Sequence, residues 1–350
     1  MYAADAPARP ADSVAQIPVI DITPFRGDES DARTAVATEL GAALERFGFV
    51  MISGHAVPPE LLADMHRVSC EFFRLPLEQK LRSSSPTKSR FQGYAAPGVG
   101  DGAQISERQS FNVHKFDTLE DAYAAGYPED AGTSIRPAMW PEQPAEFREV
   151  WRRYFDEMER LARELLAIIE VALDLPPRFF DDLVDKDHSS LVGNYYSFDI
   201  DSDLEPSPFR FKAHIDDSCM LTVLYQDDGP GSLQIHQRGD GWRDVLPVEG
   251  TYVVNIGQLL ERWTNDRLPA TPHRVLRPAE TETESRLSIP FFFKPNHDAL
   301  IAPIESLIDD GDTAHYEPVT GRAWASRSHR NDYDSPAEYQ KRVERATGGQ

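Results

Sequence analysis

Two histidines and an aspartate carry the most specific chemistry in this 350-residue chain: His214 and Asp216 flank one residue, and His273 follows much later. Two imidazoles and one carboxylate on one face, with open positions opposite, suit a mononuclear non-haem iron(II) centre. The nitrogens hold a borderline cation, the carboxylate offsets part of its charge, and the free positions are left for O2 and a second small molecule. A His-x-Asp pair fits a strand, because residues i and i+2 point to the same face. A zinc protease would instead show His-Glu-x-x-His on a helix, and that run does not occur. In a chain with 10 histidines an isolated His-x-Asp is also explained by surface polarity. Its surroundings decide between the two.

A second pair is Arg286 and Ser288, two apart on what reads as one strand face. A guanidinium offers a rigid fork of donors that matches a carboxylate, and the serine hydroxyl adds another donor. An ordinary ion pair with Glu284 is the alternative for Arg286.

The elements that must position these groups fall into two kinds. Early segments read as helices: about Asp31 to Phe47, ended by Gly48, then Pro59 to Phe73, and above all Pro144 to Leu173. In the last, Phe147, Trp151, Tyr154, Met158, Leu161, Leu165 and Ile168 recur at three and four residues, a face that core packing explains fully. Short strands are expected at Ile17–Asp21 and Phe49–Ile52. From Leu191 the pattern changes to short apolar runs: Leu191–Phe198, Cys219–Tyr225, Ser232–His236, Thr251–Ile256, His273–Leu276 and Arg286–Phe293. Turn signals such as Asp228-Gly229-Pro230-Gly231 separate them, the pattern of a sandwich, jelly roll or barrel. The Gly-rich stretch Gly98–Ile105 reads as a loop.

Composition narrows the partners. A formal charge of −22 argues against nucleic acid, whose binding needs basic patches, and is compatible with neutral or cationic small ligands. Residues Met1–Gln16 lack a basic region followed by an apolar run, so no signal peptide is expected, and no apolar stretch is long enough to span a membrane. Two cysteines, Cys70 and Cys219, fit packing positions in a reducing cytosol rather than a disulfide framework. A cytoplasmic monomer or weak homo-oligomer acting on a small molecule is the expectation.

Set side by side, the motifs resemble the iron(II)- and 2-oxoglutarate-dependent oxygenases of the isopenicillin N synthase-like superfamily. The resemblance runs from Asn194-Tyr195-Tyr196 through His214-Ile215-Asp216, Leu221–Leu224, Gly231–Ile235, Val253–Gly257 and His273-Arg274-Val275 to Arg286-Leu287-Ser288 and Phe291–Pro295. The N-terminal half is similar in Ile17–Asp21, Gly54–Pro58 and Phe72–Pro76, so the likeness covers about residues 17–303.

That resemblance implies an α+β fold: a double-stranded β-helix, or distorted jelly roll, over residues 186–305. A mostly helical region, 17–185, packs on it, with a flexible terminus 1–16 and a C-terminal segment 306–350. It implies Fe(II) on His214, Asp216 and His273, with 2-oxoglutarate and O2 as co-substrates and 2-oxoglutarate held by Arg286, Ser288, Asn194 and Tyr196. Tyr195 then faces away. Substrate contacts are expected from Arg90, Gln92, Tyr94, Phe111, Val113, Phe291 and Phe293 or their neighbour Phe292, each with core packing as the alternative. His114 and His236 are further candidates; the remaining histidines fit surface or packing roles. The chain departs from the usual family pattern in Ile215, Asp217-Ser218 and Gly257-Gln258. None removes a ligand, and Asp217 is a candidate for recognising a polar or cationic substrate group. Hydroxylation, desaturation and ring closure all stay open. So do a same-fold iron oxidase that uses no 2-oxoglutarate, a catalytically silent binding protein, and a zinc hydrolase, although the last gives Arg286 nothing to do.

Overall fold

Helices form where apolar residues recur at three and four, strands where runs are short and bounded by turns. The computed structural model describes residues 14–87, 89, 91–97, 108–128, 136–197, 209–227, 233–237, 239–277 and 285–330. The N-terminal part comprises β1 (Val19–Asp21), α1 (Ser30–Phe47), β2 (Phe49–Ser53), α2 (Pro59–Phe73), α3 (Leu77–Leu81), β3 (Gly93–Ala95) and β4 (Gln109–His114). Helices α4 (Leu119–Ala124), α5 (Phe147–Ala172) and α6 (Asp181–Val184) follow. Next come β5 (Ser190–Tyr196), β6 (Phe209–His214), β7 (Leu221–Gln226), β8 (Leu233–Gln237), β9 (Gly241–Asp244) and β10 (Tyr252–Ile256). The chain continues with α7 (Gln258–Trp263), β11 (His273–Leu276), β12 (Arg286–Phe293), β13 (Leu300–Ile301), β14 (Val319–Thr320) and α8 (Gly321–Arg330).

Helix α1 stops where expected. Gly48 takes a left-handed φ of 64° and its N–H donates to Leu44 O. A Cβ there would lie 2.3 Å from Pro269 O, so only glycine meets both demands. Helix α5 begins at Phe147, three residues later than expected, because Pro144 belongs to the turn before it and its carbonyl accepts the Phe147 N–H. The apolar stripe of α5 is buried as its period requires. Truncating Trp151 within it would cost about 3–5 kcal/mol.

Two sheets result. The larger runs β1-β2-β10-β7-β12-β5-β4-β3 and the smaller β6-β11-β8-β9, so strands from both sides of residue 185 share one sheet. Helices α1, α2 and α5 pack with Leu287, Ile289, Phe291 and Phe293 of β12 and Val254 and Ile256 of β10 in the main core. On the other face Phe49, Met51 and Val253 meet Leu233 and Ile235 of the smaller sheet. This is the double-stranded β-helix of an α+β protein, with its large sheet buried on both sides. Strands β6 and β9 are unmarked in the sequence, because Arg210 and Lys212 interrupt the first and Trp242 is the sole apolar side chain of the second. The Gly98–Ile105 loop lies outside the described residues. Among those described, no helix is long and apolar enough to cross a membrane.

Candidate active site

The smaller sheet brings the two histidines together. In the antiparallel β6–β11 register His214 and His273 are direct partners, and their ring centroids are 4.1 Å apart. Asp216 is not on the strand with His214, as expected from the i, i+2 rule, but in the loop that follows. Staying on the strand would hold the two positions roughly 7 Å apart with parallel side chains. Leaving it lets them converge: Asp216 Oδ1 lies 3.8 Å from His214 Nε2 and 3.7 Å from His273 Nε2. The loop is fastened to the start of α7, where Gln258 N–H donates to Asp216 O and Gly257 N–H to Met220 O, both at 2.8 Å.

The surrounding hydrogen bonds assign each donor atom. His214 Nδ1 donates to Lys212 O at 2.9 Å and His273 Nδ1 to Thr271 O at 3.2 Å, which leaves both Nε2 lone pairs free. Asp216 Oδ2 accepts from Thr222 Oγ1 at 2.6 Å and Asn255 Nδ2 at 2.8 Å, which leaves Oδ1. Phe211 and Phe49 set their edges against the His214 and His273 rings. Burial, then the neighbouring His273, push the His214 imidazole down to about 3. Burial pushes the Asp216 carboxyl up, but both imidazoles, Thr222 and Asn255 outweigh it and hold it below its ordinary value. A neutral imidazole beside an ionised carboxylate is the protonation state a divalent metal requires. The three ligand atoms lie within 4.8 Å of one another, so this donor set fits a small cation with nitrogen and oxygen preference. His214 keeps 22% of its side-chain surface accessible against 10% for His273 and 7% for Asp216, so a ligand arrives past His214.

A second cluster occupies the inner face of the large sheet. In the strand registers Arg286 stands opposite Tyr196, and Ser288 lies between Asn194 and Gln226. Arg286 is 2% exposed, yet its one hydrogen bond among the described residues is from Nη2 to Gln226 Oε1 at 3.0 Å, and its guanidinium lies 5.6 Å from the Tyr196 ring centre. Its Nη1 and the Asn194 Oδ1 are buried without partners among those residues. Glu284, the sequence alternative for an ion pair, lies outside the described residues. An orphaned donor on a buried guanidinium, beside a serine hydroxyl, fits a carboxylate supplied by a ligand.

The candidate substrate residues divide. Phe291 and Phe293 turn away from this face: Phe291 meets Phe155 of α5 edge-on at 5.1 Å, and Phe293 lies under Arg163. Phe111 and Val113 of β4 likewise enter the helical core, Phe111 among Phe72, Phe147 and Trp151. Tyr94 is buried there too, its hydroxyl donating to Gln109. These five serve packing because side chains alternate, and the odd-numbered positions of β12 face the helices while Arg286 and Ser288 face inward. Phe292 is on the inward side. Gln92 bonds Ser85 and the Pro137 carbonyl, and Arg90 lies outside the described residues. Tyr195 faces away as expected and stacks on Phe73. Asp217 lies deep but partly accessible beside the metal-binding loop. Burial, then Asp216, push it up to about 6, and its backbone carbonyl accepts from Trp324. His236 is buried against Trp242, and His114 Nε2 reaches Phe91 O. Cys70 and Cys219 are buried free thiols. Sequence reasoning did not single out Thr222, Asn255, Gln226 or Lys294. The parity of Arg286 and Ser288 was the available signal for Phe292 and Lys294.

Comparison with known proteins bears on this geometry. The model of the 2OG-Fe(II) oxygenase superfamily matches residues 187–295, and that of the non-haem dioxygenase in morphine synthesis N-terminal region matches 17–143. The 2-oxoglutarate-Fe(II) type oxidoreductase ppzC of Metarhizium majus is 30% identical, covering 91% of this chain and 88% of its own. The 2-oxoglutarate-Fe(II) type oxidoreductase hxnY of Emericella nidulans is 29% identical, covering 93% of both. Among solved structures, a full-length Neurospora crassa protein in complex with alpha-KG and thymine superposes with a TM-score of 0.76 at 26% identity, covering 92% of this chain and 99% of that one.

Proposed function

This chain belongs to the 2-oxoglutarate–Fe(II) oxygenase superfamily, and from that premise we propose that His214, Asp216 and His273 hold its iron while Arg286 and Ser288, flanked by Asn194 and Tyr196, hold its 2-oxoglutarate. It is a non-haem iron dioxygenase with 2-oxoglutarate and O2 as co-substrates. When bound, the iron would couple the decarboxylation of 2-oxoglutarate by O2, which yields succinate and CO2, to oxidation at a C–H bond of the substrate, as hydroxylation, desaturation or ring closure.

The protein's own contribution is geometric and electrostatic. Lys212 O and Thr271 O fix the tautomers of the two imidazoles, so both present Nε2. Thr222 and Asn255 hold Asp216 Oδ2, so the carboxylate keeps one orientation. Arg286 and Ser288 orient the distal carboxylate, with Gln226 steadying the guanidinium. Leu224, Pro290 and Val253 are neighbours in the strand registers and form an apolar stretch between the two polar clusters.

The observation that carries the co-substrate assignment is the buried Arg286 with an unpartnered Nη1. The substrate is a small organic molecule, and the free thiols Cys70 and Cys219 are compatible with a reducing, cytoplasmic setting. The test is stepwise addition of Fe(II) and then 2-oxoglutarate to metal-free protein without oxygen. The reading expects the weak visible band of a keto acid on iron(II), lost in His214→Ala. Iron binding without a band would transfer Arg286 to the substrate, and absence of iron binding would sink the assignment.

A further inference from the structure

The inward side of β12 does not end at Ser288. Pro290 and Phe292 follow, and Lys294, just past the strand, continues the same parity. In the strand registers Phe292 lies between Thr222 and Ser190, and Thr222 is the residue that grips Asp216. Lys294 Nζ donates to that same Ser190, Oγ at 3.1 Å. Lys294 is therefore one step beyond the row of side chains that starts at the metal-binding carboxylate.

Among the described residues Lys294 forms no ion pair, and its ammonium has one hydrogen bond for three donors. Arg136 is brought to the same strand end: its guanidinium lies 5.6 Å from the Phe91 ring, Phe91 O accepts from His114 Nε2, and His114 stands opposite Ser190 in the strand register. The one hydrogen bond of Arg136 among the described residues runs from Nη1 to Ser89 Oγ at 2.6 Å, and it has no carboxylate partner among them. Both cations are half-buried. The loop carrying Asp217 returns to this strand end, where Met220 N–H donates to Phe293 O at 2.8 Å, and Asp217 attracts Lys294 without forming an ion pair with it. Two cations face one carboxylate, inside a chain whose formal charge is −22. Partly desolvated cations that lack an acid partner carry a cost that an anionic ligand would offset.

We propose that Lys294 and Arg136 form an anion-recognising end of the substrate pocket, so that the molecule this enzyme oxidises carries a carboxylate. The proposal rests on the iron and 2-oxoglutarate reading above and deepens it by naming the substrate class. The substrate's carboxylate supplies the missing partner for both cations, and Asp217 takes a hydrogen-bond donor on the same molecule. The net acidic surface does not attract such a substrate; the local excess of positive charge inside the pocket does.

The probes are benzoate and its neutral isostere benzamide. They are titrated calorimetrically into the full-length protein loaded with Mn(II), in place of iron, and saturating 2-oxoglutarate. Saturation keeps Arg286 engaged, so benzoate reports on the second site. The expected result is a benzoate preference of roughly tenfold or more, the worth of one charge-assisted hydrogen bond. Lys294→Met should reduce that preference at least severalfold, and so, separately, should Arg136→Met, which guards against one variant failing to fold. Equal binding of the two probes, no benzoate binding at millimolar concentration, or a preference unchanged in both variants would overturn the proposal. Binding of 2-oxoglutarate is read on the same samples. Its failure with the Lys294-dependent preference intact would sink the co-substrate reading and leave the anion subsite standing.

Discussion

Replacing Arg286 by methionine separates binding from stability more sharply than any other single change. The guanidinium is 2% exposed and, among the described residues, has one hydrogen bond and leaves Nη1 orphaned. Truncating one partner of a buried charge pair costs about 2–5 kcal/mol, so the variant should bind 2-oxoglutarate roughly 30- to 4,000-fold more weakly. At a co-substrate concentration 100 times the wild-type Kd, ligand stabilises the wild type by about 2.7 kcal/mol, and the variant by less than about 0.9 kcal/mol. The ligand-free proteins should differ far less. Removing an unpaired buried charge gains about 1–4 kcal/mol, whereas leaving Gln226 Oε1 without its donor loses about 1–3 kcal/mol. The assay is urea unfolding of both proteins with and without 2-oxoglutarate, backed by direct titration. Affinity within threefold of wild type would refute the reasoning, because Arg286 would then be holding something other than the co-substrate.

Three further outcomes are expected. Thr222→Val or Asn255→Leu removes one support of Asp216 Oδ2 and should weaken iron binding about 10- to 100-fold in a chelator competition, with the fold retained. His188, stacked on His297, is pushed down to about 2, chiefly by burial and then by His297. Its unfolded-state value lies near 6.5, so the unfolded chain takes up the proton first; stability is full above that pH and is lost as pH falls toward 2. This group alone should cost about 2 kcal/mol between pH 7 and pH 5. His188→Gln should lose that much less over the interval in urea unfolding, and parallel profiles would contradict the assignment. In Gly257→Ala the new Cβ would meet Cys219 O at 2.2 Å, which should cost about 1–3 kcal/mol and displace the Asp216 loop, lowering iron affinity as well. Gly41→Ala, crowded only by Ala172 Cβ at 2.8 Å between helices, should lower stability and leave iron affinity unchanged.

The metal ligands, the Arg-x-Ser pair and the core strands were legible because each is carried by rare residue types or by period. Helix α5 was legible for the same reason, through its seven-position stripe. The facing of β4 and β12 was not. Both strands are buried on both sides, so Phe291, Phe293, Phe111 and Val113 read equally well as pocket or core. Parity would have resolved β12, since Arg286 cannot share a face with Phe291. The departure of Asp216 from its strand was missed although Asp216-Asp217-Ser218 is a turn signal, because the His-x-Asp spacing fits a strand equally well. Thr222 and Asn255 are ordinary strand residues until the loop delivers a carboxylate to them. Lys294 stands in the matched motif Phe291–Pro295, but nothing in the sequence shows its ammonium to be unpaired.

The division of labour along β12 has a consequence for how such a protein can change. Positions 287, 289, 291 and 293 belong to the helical layer, while 286, 288, 290 and 292 face the candidate site and Lys294 continues their parity. Substitutions at 290, 292 and 294 can therefore drift, or be randomised in a library, without disturbing the helices. An inserted or deleted residue cannot be absorbed. It would exchange the two sets, set phenylalanines over the co-substrate and drive a guanidinium beneath α5. Substrate range is open to point mutation in this strand, and its length is frozen.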